Sequence, residues 1–450
     1  MLSNTRHLTH GIWPLAWPII LSNLSVPLLG AVDTAILGHL PSARYLAAVA
    51  AGSVLLSLLL WSFGFLRMGT TSLVARAVGA GDTSRSIGIG VQAVGLALLL
   101  ALVLMMSQFF VIPLALGWIT PDAEVAALAA SYCHIRLLSA PVTLINYVLI
   151  GWFIGQQDTR RPLIILVSAN LLNIALDFWL IMGLGLNSNG AAWATVIAEY
   201  LALGLGLVLL WHKLGALSKT LPGALTLRAH CHWLTRWGEY LPLLQVNRHL
   251  FVRTLCLLGV LVFFAAQGAR LGTVVLAANA ILLQFLMLTA HGLDGFAHAT
   301  EALSGKAVGA RNRPELLRIS LGSSLLALVT AAIISAIFWL GRDLWLGLFS
   351  SLPEVLAQAQ GDFFWVVVLP LVAVGAYQLD GIFLGSGHTR AMQNAMLLCI
   401  GGVFLPVWLL SQQLGNTGLW LAFTLFNLAR GLSLGWIFYR RWRAGRWIVF

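Results

Sequence analysis

Apolar runs long enough to cross a bilayer follow one another along almost the whole chain. Short segments rich in Arg, Lys, Pro and Asn separate them. The runs show no strand-like alternation, and a spanning helix needs ~20 mainly apolar residues, so helices are favoured over a barrel. The pattern predicts twelve spans, at residues 11–38, 45–72, 87–117, 124–152, 161–184, 190–212, 237–265, 272–299, 315–341, 355–384, 391–413 and 417–439. The expected class is an all-α polytopic membrane protein.

The pattern also repeats. Ala77-Val78-Gly79-Ala80 recurs as Ala307-Val308-Gly309-Ala310, preceded by Arg76 and Lys306. At the same offset of 230, Tyr147, Gly151, Phe153, Gly155, Thr159 and Arg160 match Tyr377, Gly381, Phe383, Gly385, Thr389 and Arg390. Each period holds six spans, an even number, so both copies keep one orientation. Two six-helix bundles related by a pseudo-two-fold axis along the membrane normal are expected, a transporter architecture with its site near the repeat interface. Residues 1–212 form the N-terminal lobe, 213–236 a cytoplasmic linker holding Pro222 and Gly223, and 237–450 the C-terminal lobe.

Composition agrees with the class: 59% of residues are hydrophobic, 9% are charged, and the mean hydropathy is +0.90. A net charge of +11 raises the question of nucleic acid, but the placement of the basic residues answers it. Eighteen of the 26 Lys and Arg fall at one side of the spans, among them Arg6, Arg228, Arg236 and the Arg440–Arg446 cluster. Arg44, Arg270 and Arg342 fall at the other, and five, including Arg67, Arg136, Arg248, Arg253 and Arg430, lie within spans. The positive-inside rule then puts both termini in the cytoplasm. No small-residue cleavage site follows a short apolar core near Met1, so no removable signal peptide is expected. The four cysteines, including Cys231, are scattered singly, without metal-ligand spacing.

Chemistry concentrates in the fifth span. Asn170, Asn173 and Asp177 are spaced i, i+3, i+7 and share a helix face. A carboxylate at membrane depth is costly and points to function, unless the cluster only holds helices together. Asp33 lies about five residues, or ~8 Å, from the outer end of the first span, and Asp177 lies at a similar depth. Thr195 and, one turn deeper, Glu199 bring oxygens from the sixth span. Two carboxylates in a low-dielectric site cannot both ionise cheaply. That suits reversible proton binding, and the same oxygens suit a small monovalent cation. Pro18 and Pro27 interrupt the first span, where interior prolines kink helices.

Asp294 and Glu301 share a face of the eighth span, and Asp380 lies in the tenth. The embedded acids break the repeat: Asp177 aligns with Val407, Asp294 with Gly64, Glu301 with Thr71 and Asp380 with Ile150. A substrate or coupling role for Asp294, Glu301 and Asp380 competes with a plainer one, as acids near helix ends that reach water or pair with Arg67, Arg248 or Arg253. The 18 tryptophans read mainly as interfacial belt residues. G-x-S-x-G, H-E-x-x-H and a Walker loop are all missing, so hydrolytic and ATP-driven machinery is not indicated.

Pro18, the run V-D-T-A-I-L-G-H-L from Val32 to Leu40, and Asn173-Ile174-Ala175-Leu176-Asp177 resemble multidrug and toxic compound extrusion (MATE) transporters. N-R-H-L-F-V-R-T from Asn247, L-D-G-F-A-H-A-T-E-A from Leu293 and R-G-L-S-L from Arg430 resemble the branch named after DNA-damage-inducible protein F. His249 departs from the family pattern, in which Asp is common at that place. The resemblance implies cation-coupled efflux of amphipathic, often cationic, compounds by alternating access. It also implies a cation site at Asp33, Asn173, Asp177 and Thr195, and a first helix that bends at Pro18. Asn170 and Glu199 are supporting candidates from depth and periodicity alone.

The expected function is therefore an antiporter, with H⁺ ahead of Na⁺ as coupling ion, no other cofactor or metal, and membrane lipids and small molecules as partners. It is expected as a monomer in a bacterial inner membrane. A flippase for lipids or lipid-linked oligosaccharides is the alternative, and would line its cavity with Arg and Lys. A channel fits poorly with asymmetric repeats and with prolines that invite bending.

Overall fold

The computed structural model describes residues 9, 11–38, 40, 42–119, 122–220, 233–234, 237–349 and 352–447. Among the described residues twelve helical segments have the length and apolar character to span a membrane, counting one bent pair as a single span. They are α1 (Trp13–Gly38), α2 (Arg44–Gly79), α3 (Thr83–Ile119), α4 (Ala123–Leu137 with Ala140–Gly155), α5 (Arg160–Gly183), α6 (Asn187–Thr220), α7 (Trp237–Leu271), α8 (Thr273–Gly309), α9 (Arg313–Leu340), α10 (Pro353–Gly385), α11 (Thr389–Leu410) and α12 (Asn416–Arg443). A short helix, Arg342–Phe349, leads into α10. No strand occurs among the described residues. Helices satisfy their own backbone groups, as lipid demands. Their outward faces carry bare apolar side chains: Phe110, Leu340 and Leu410 are 80%, 85% and 86% exposed. Such a surface is stable against lipid and unstable against water.

Several helices run further than their apolar stretches. α8 continues to Gly309, so Glu301 is not at a helix end but inside a helix, and it is 1% exposed. α6 continues to Thr220. Backbone hydrogen bonding carries a helix past the bilayer until a turn residue stops it. The expected linker residues Pro222 and Gly223, together with Arg6, Arg228, Cys231 and Arg236, lie outside the described residues.

The backbone carries the repeat. Left-handed φ values occur at Gly81 (74°) and Arg311 (54°), at Gln157 (62°) and Gly387 (78°), and at Gly185 (67°) and Gly415 (57°), each pair 230 residues apart. Asp82 accepts a hydrogen bond from the backbone N–H of Arg85 at 2.8 Å, and Asn312 accepts one from Glu315 at 3.0 Å. Both are helix N-caps, again 230 apart. The turns preceding these caps close alike, Asp82 N–H donating to Ala77 C=O and Asn312 N–H to Ala307 C=O, each at 2.9 Å.

The chain packs as two compact units. The first holds 21–78 and 82–244; the second holds the start of α1 up to Ile20, Gly79–Gly81, and the chain from Gln245 onward. Within the second unit, Ala16 of α1 packs among Leu293, Phe296 and Ala299 of α8. There Gly295 comes so close that a methyl group on it would lie 3.3 Å from the Ala16 carbonyl oxygen. Small residues permit this approach where no hydrophobic force draws helices together.

Candidate functional site

In the first unit the face Asn170–Asn173–Asp177 of α5 turns inward: Asn173 is 2% and Asp177 1% exposed. The helix widens into a π turn at Phe178–Gly183, directly after Asp177. Such turns interrupt the regular bonding ladder and recur at functional positions. Asp33 of α1 comes within hydrogen-bonding reach of the Asp177 carboxylate. Acceptor therefore faces acceptor. Oδ1 of Asp33, both carboxylate oxygens of Asp177 and Oδ1 of Asn173 are buried without a protein donor. Buried acceptors of this kind are rare and call for a proton, a cation or water.

Beside the carboxylates lies a cavity of about 360 Å³ within this unit, whose walls include Asn170, Asn173, Thr195, Glu199, Tyr132 and Arg136. The amide of Asn170 donates to Ser25 Oγ at 2.7 Å, tying α5 to α1. Thr195 donates to the Ala191 carbonyl at 3.0 Å, which uses its hydrogen and leaves its oxygen as an acceptor. The predicted residues thus fall into two adjoining groups. Asp33 and Asp177 meet each other, while Asn170, Thr195 and Glu199 line the cavity. Asn173 joins the two, lining the cavity one turn from Asp177.

Glu199 has partners of its own. Its carboxylate pairs with Arg136 at 3.5 Å and accepts a hydrogen bond from Thr143 Oγ1. Arg136 and Thr143 flank the break in α4, where the two helical pieces meet at 50°. Arg136 also donates to Ser139 Oγ at 2.9 Å, inside the break. Glu199 of α6 therefore clasps both halves of a broken helix. Sequence reading placed Arg136 within a span without giving it a partner. The signal was a cation at membrane depth, which needs a carboxylate nearby.

The acids of the second unit are engaged differently. Asp380 accepts hydrogen bonds from Arg253 and from Arg430 at 2.8 Å, and Arg430 is held in turn by Asn427 at 3.2 Å. This bears on the plainer reading of Asp380: Arg253 is one partner, and Arg430, not anticipated, is the second. Glu301 lies 3.4 Å from His298 Nδ1, both buried. Asp294 is half-buried. His249 contacts Gln393 Oε1 at 2.5 Å. A further polar cluster went unread in the sequence. Asn416 donates to Asn279 at 2.9 Å and to Asp362 at 2.6 Å, and Trp420 donates to Asn279 at 2.9 Å. These bonds tie α8, α10 and α12 together.

The chain is similar to known proteins along its length. The MatE family model matches residues 18–179 and again 251–409, so one model fits both copies of the repeat. DNA damage-inducible protein F of Escherichia coli (strain K12) is 41% identical over 441 residues, covering 97% of this chain and 94% of that protein. The probable multidrug resistance protein NorM of Rhizobium meliloti (strain 1021) is 27% identical over 474 residues, covering 98% and 97%. A crystal structure of MATE in complex with MaD3S has the same fold, with a TM-score of 0.86 at 21% identity over 97% of each chain.

Proposed function

This chain belongs to the MatE family of transporters, and from that premise we propose that it is a cation-coupled antiporter exporting amphipathic, often cationic, small molecules by alternating access. The observation that carries the proposal is the pair Asp33–Asp177, a half-buried and a buried carboxylate in reach of each other, with Oδ1 of Asp33 and both oxygens of Asp177 lacking a protein donor. One proton converts one acceptor into a donor and satisfies both. A sodium ion would need more oxygens, which Asn173 and Thr195 supply. The proton is the simpler occupant and stands first. A relative named for probable multidrug resistance supports the efflux reading.

Coupling needs a second state that binds the ion differently. Pro18 in α1 removes the N–H that would bond the carbonyl of Pro14, which weakens the helix at that turn. α1 then bends according to whether Asp33 carries a proton. The lipid flippase reading loses ground because the cavity's arginine, Arg136, is already paired with Glu199. The protein works as a monomer in a bacterial inner membrane, with both termini cytoplasmic and no cofactor besides the ion. The test is dye efflux from proteoliposomes under a pH gradient or a Na⁺ gradient, each applied alone. A pH gradient alone drives efflux. Efflux indifferent to both gradients would sink the proposal.

A further inference from the structure

We propose that the end of α12 is a docking site for the headgroups of anionic phospholipids. Arg440, Arg443 and Arg446 project from the last turns of α12 and the residues after it, and all three are exposed. No carboxylate pairs with any of them among the described residues. On the neighbouring first turn of α9, Glu315 is already held by Arg318 at 2.5 and 2.7 Å, so it does not neutralise the patch.

The segment is built rather than trailing. The chain turns at Gly445 with a left-handed φ of 68°, and Arg446 N–H donates to the Arg441 carbonyl at 3.0 Å. Trp447 then tucks in at 1% exposure. Its indole N–H donates to the Phe438 carbonyl at 3.0 Å, and its ring lies 5.1 Å from that of Phe383 and 4.8 Å from that of His388. Arg443 and Arg446 are thereby held between a helix and an anchored ring. Arg313 from α9 joins them: it donates to the Trp442 carbonyl and stacks 4.4 Å over its ring.

The stacking defines what the site can bind. Arg440 lies 5.3 Å over Trp436 and Arg443 4.9 Å over Tyr439. A guanidinium stacked by its face keeps its N–H edge for an in-plane acceptor, and phosphate oxygens match that fork. Trp436 and Tyr439 are 60% and 53% exposed. Amphipathic rings bare at a span's end sit at the headgroup level of a bilayer. The acceptor available at that depth is the phosphodiester of a lipid, and clusters of Arg beside a span attract anionic lipid. An orientation signal alone needs the charges but not their fixed placement, and that difference can be measured.

The test uses the purified full-length protein in detergent. Phosphatidylglycerol or phosphatidylcholine with the same acyl chains is added, and retained lipid is read by native mass spectrometry. Wild type retains phosphatidylglycerol in preference. R440Q/R443Q/R446Q loses that preference by at least about tenfold, and Trp447→Ala weakens it although no charge changes. R270Q/R342Q, which removes charge from the other ends of spans in the same unit, keeps it. The charge variants replace exposed groups and leave the buried Trp447 anchor in place, so they decide even where Trp447→Ala fails to fold. Equal retention of the two lipids by wild type overturns the proposal. So does an equal loss in R270Q/R342Q, or retention by a folded Trp447→Ala protein equal to that of wild type.

Discussion

Gly151 lies directly on the backbone of Arg67: a methyl group built on it would fall 2.5 Å from the Arg67 carbonyl oxygen. In the second copy of the repeat a methyl group on Gly381 would fall 2.3 Å from the Ala297 carbonyl oxygen, and both members of the pair have moved by 230 residues. One turn on, a methyl group would fall 3.0 Å from the Thr71 carbonyl oxygen if built on Gly155 and 2.1 Å from that of Glu301 if built on Gly385. At Gly151 and Gly381 two helices thus meet backbone to backbone, while Gly155 and Gly385 also make room for the side chains of Val74 and Ser304. Gly151→Ala and Gly381→Ala should each lower stability by about 1–3 kcal/mol through overpacking. Gly204→Ala, where nothing lies within 4 Å, should be neutral or gain up to about 1 kcal/mol. Thermal unfolding in detergent checks this; equal stability of Gly151→Ala and Gly204→Ala would contradict the close packing.

The clasp on α4 gives a second prediction. Glu199→Gln keeps an acceptor for Thr143 but removes the negative charge facing Arg136, whose side chain is 11% exposed. Stability should fall by roughly 1–3 kcal/mol. Arg136→Gln in the same chain should recover part of the loss, because the orphaned charge is gone. Gradient-driven efflux should persist in Glu199→Gln at temperatures where it stays folded. A double-mutant cycle showing no coupling between the two residues would remove the clasp.

The Asp380 knot predicts an order of severity. Asp380→Asn strands two buried guanidinium groups and should cost about 3–5 kcal/mol. Arg253→Met leaves Arg430 on Asp380 at 2.8 Å and should cost less. Denaturation midpoints of the two variants decide the order, and a reversal would mean that Asp380 is not held by both arginines.

What the sequence made legible follows from the range of each interaction. Helices and their repeat are written locally, in apolar runs and in the recurrence of Gly151 and Gly155 as Gly381 and Gly385. The Asn170–Asn173–Asp177 face is legible because three residues within two turns of one helix need only the 3.6 period to be placed. The Arg136–Glu199 pair is different. Its members lie 63 residues apart on separate helices, and their meeting depends on the break in α4, which no motif announces. Asp362, Asn279 and Asn416 were passed over because each stands alone among apolar neighbours, and their mutual bonds form only when three helices pack. Glu301 lies further from the end of its helix than hydropathy suggests, because hydropathy follows the apolar stretch while the helical backbone continues to Gly309.

The central claim is that Asp33 and Asp177 act as one coupling site, which titrates as a unit. The most direct measurement is dye efflux from proteoliposomes after a pH jump, with protein insertion checked in parallel. Asp33→Asn should insert normally and abolish gradient-driven efflux, Asp177→Asn should do the same, and the double variant should be little worse than either. If Asp33→Asn pumps at the wild-type rate while Glu301→Gln or Asp380→Asn, inserted to the same level, is inactive, coupling belongs to the second unit and the assignment of the site to Asp33 and Asp177 is wrong.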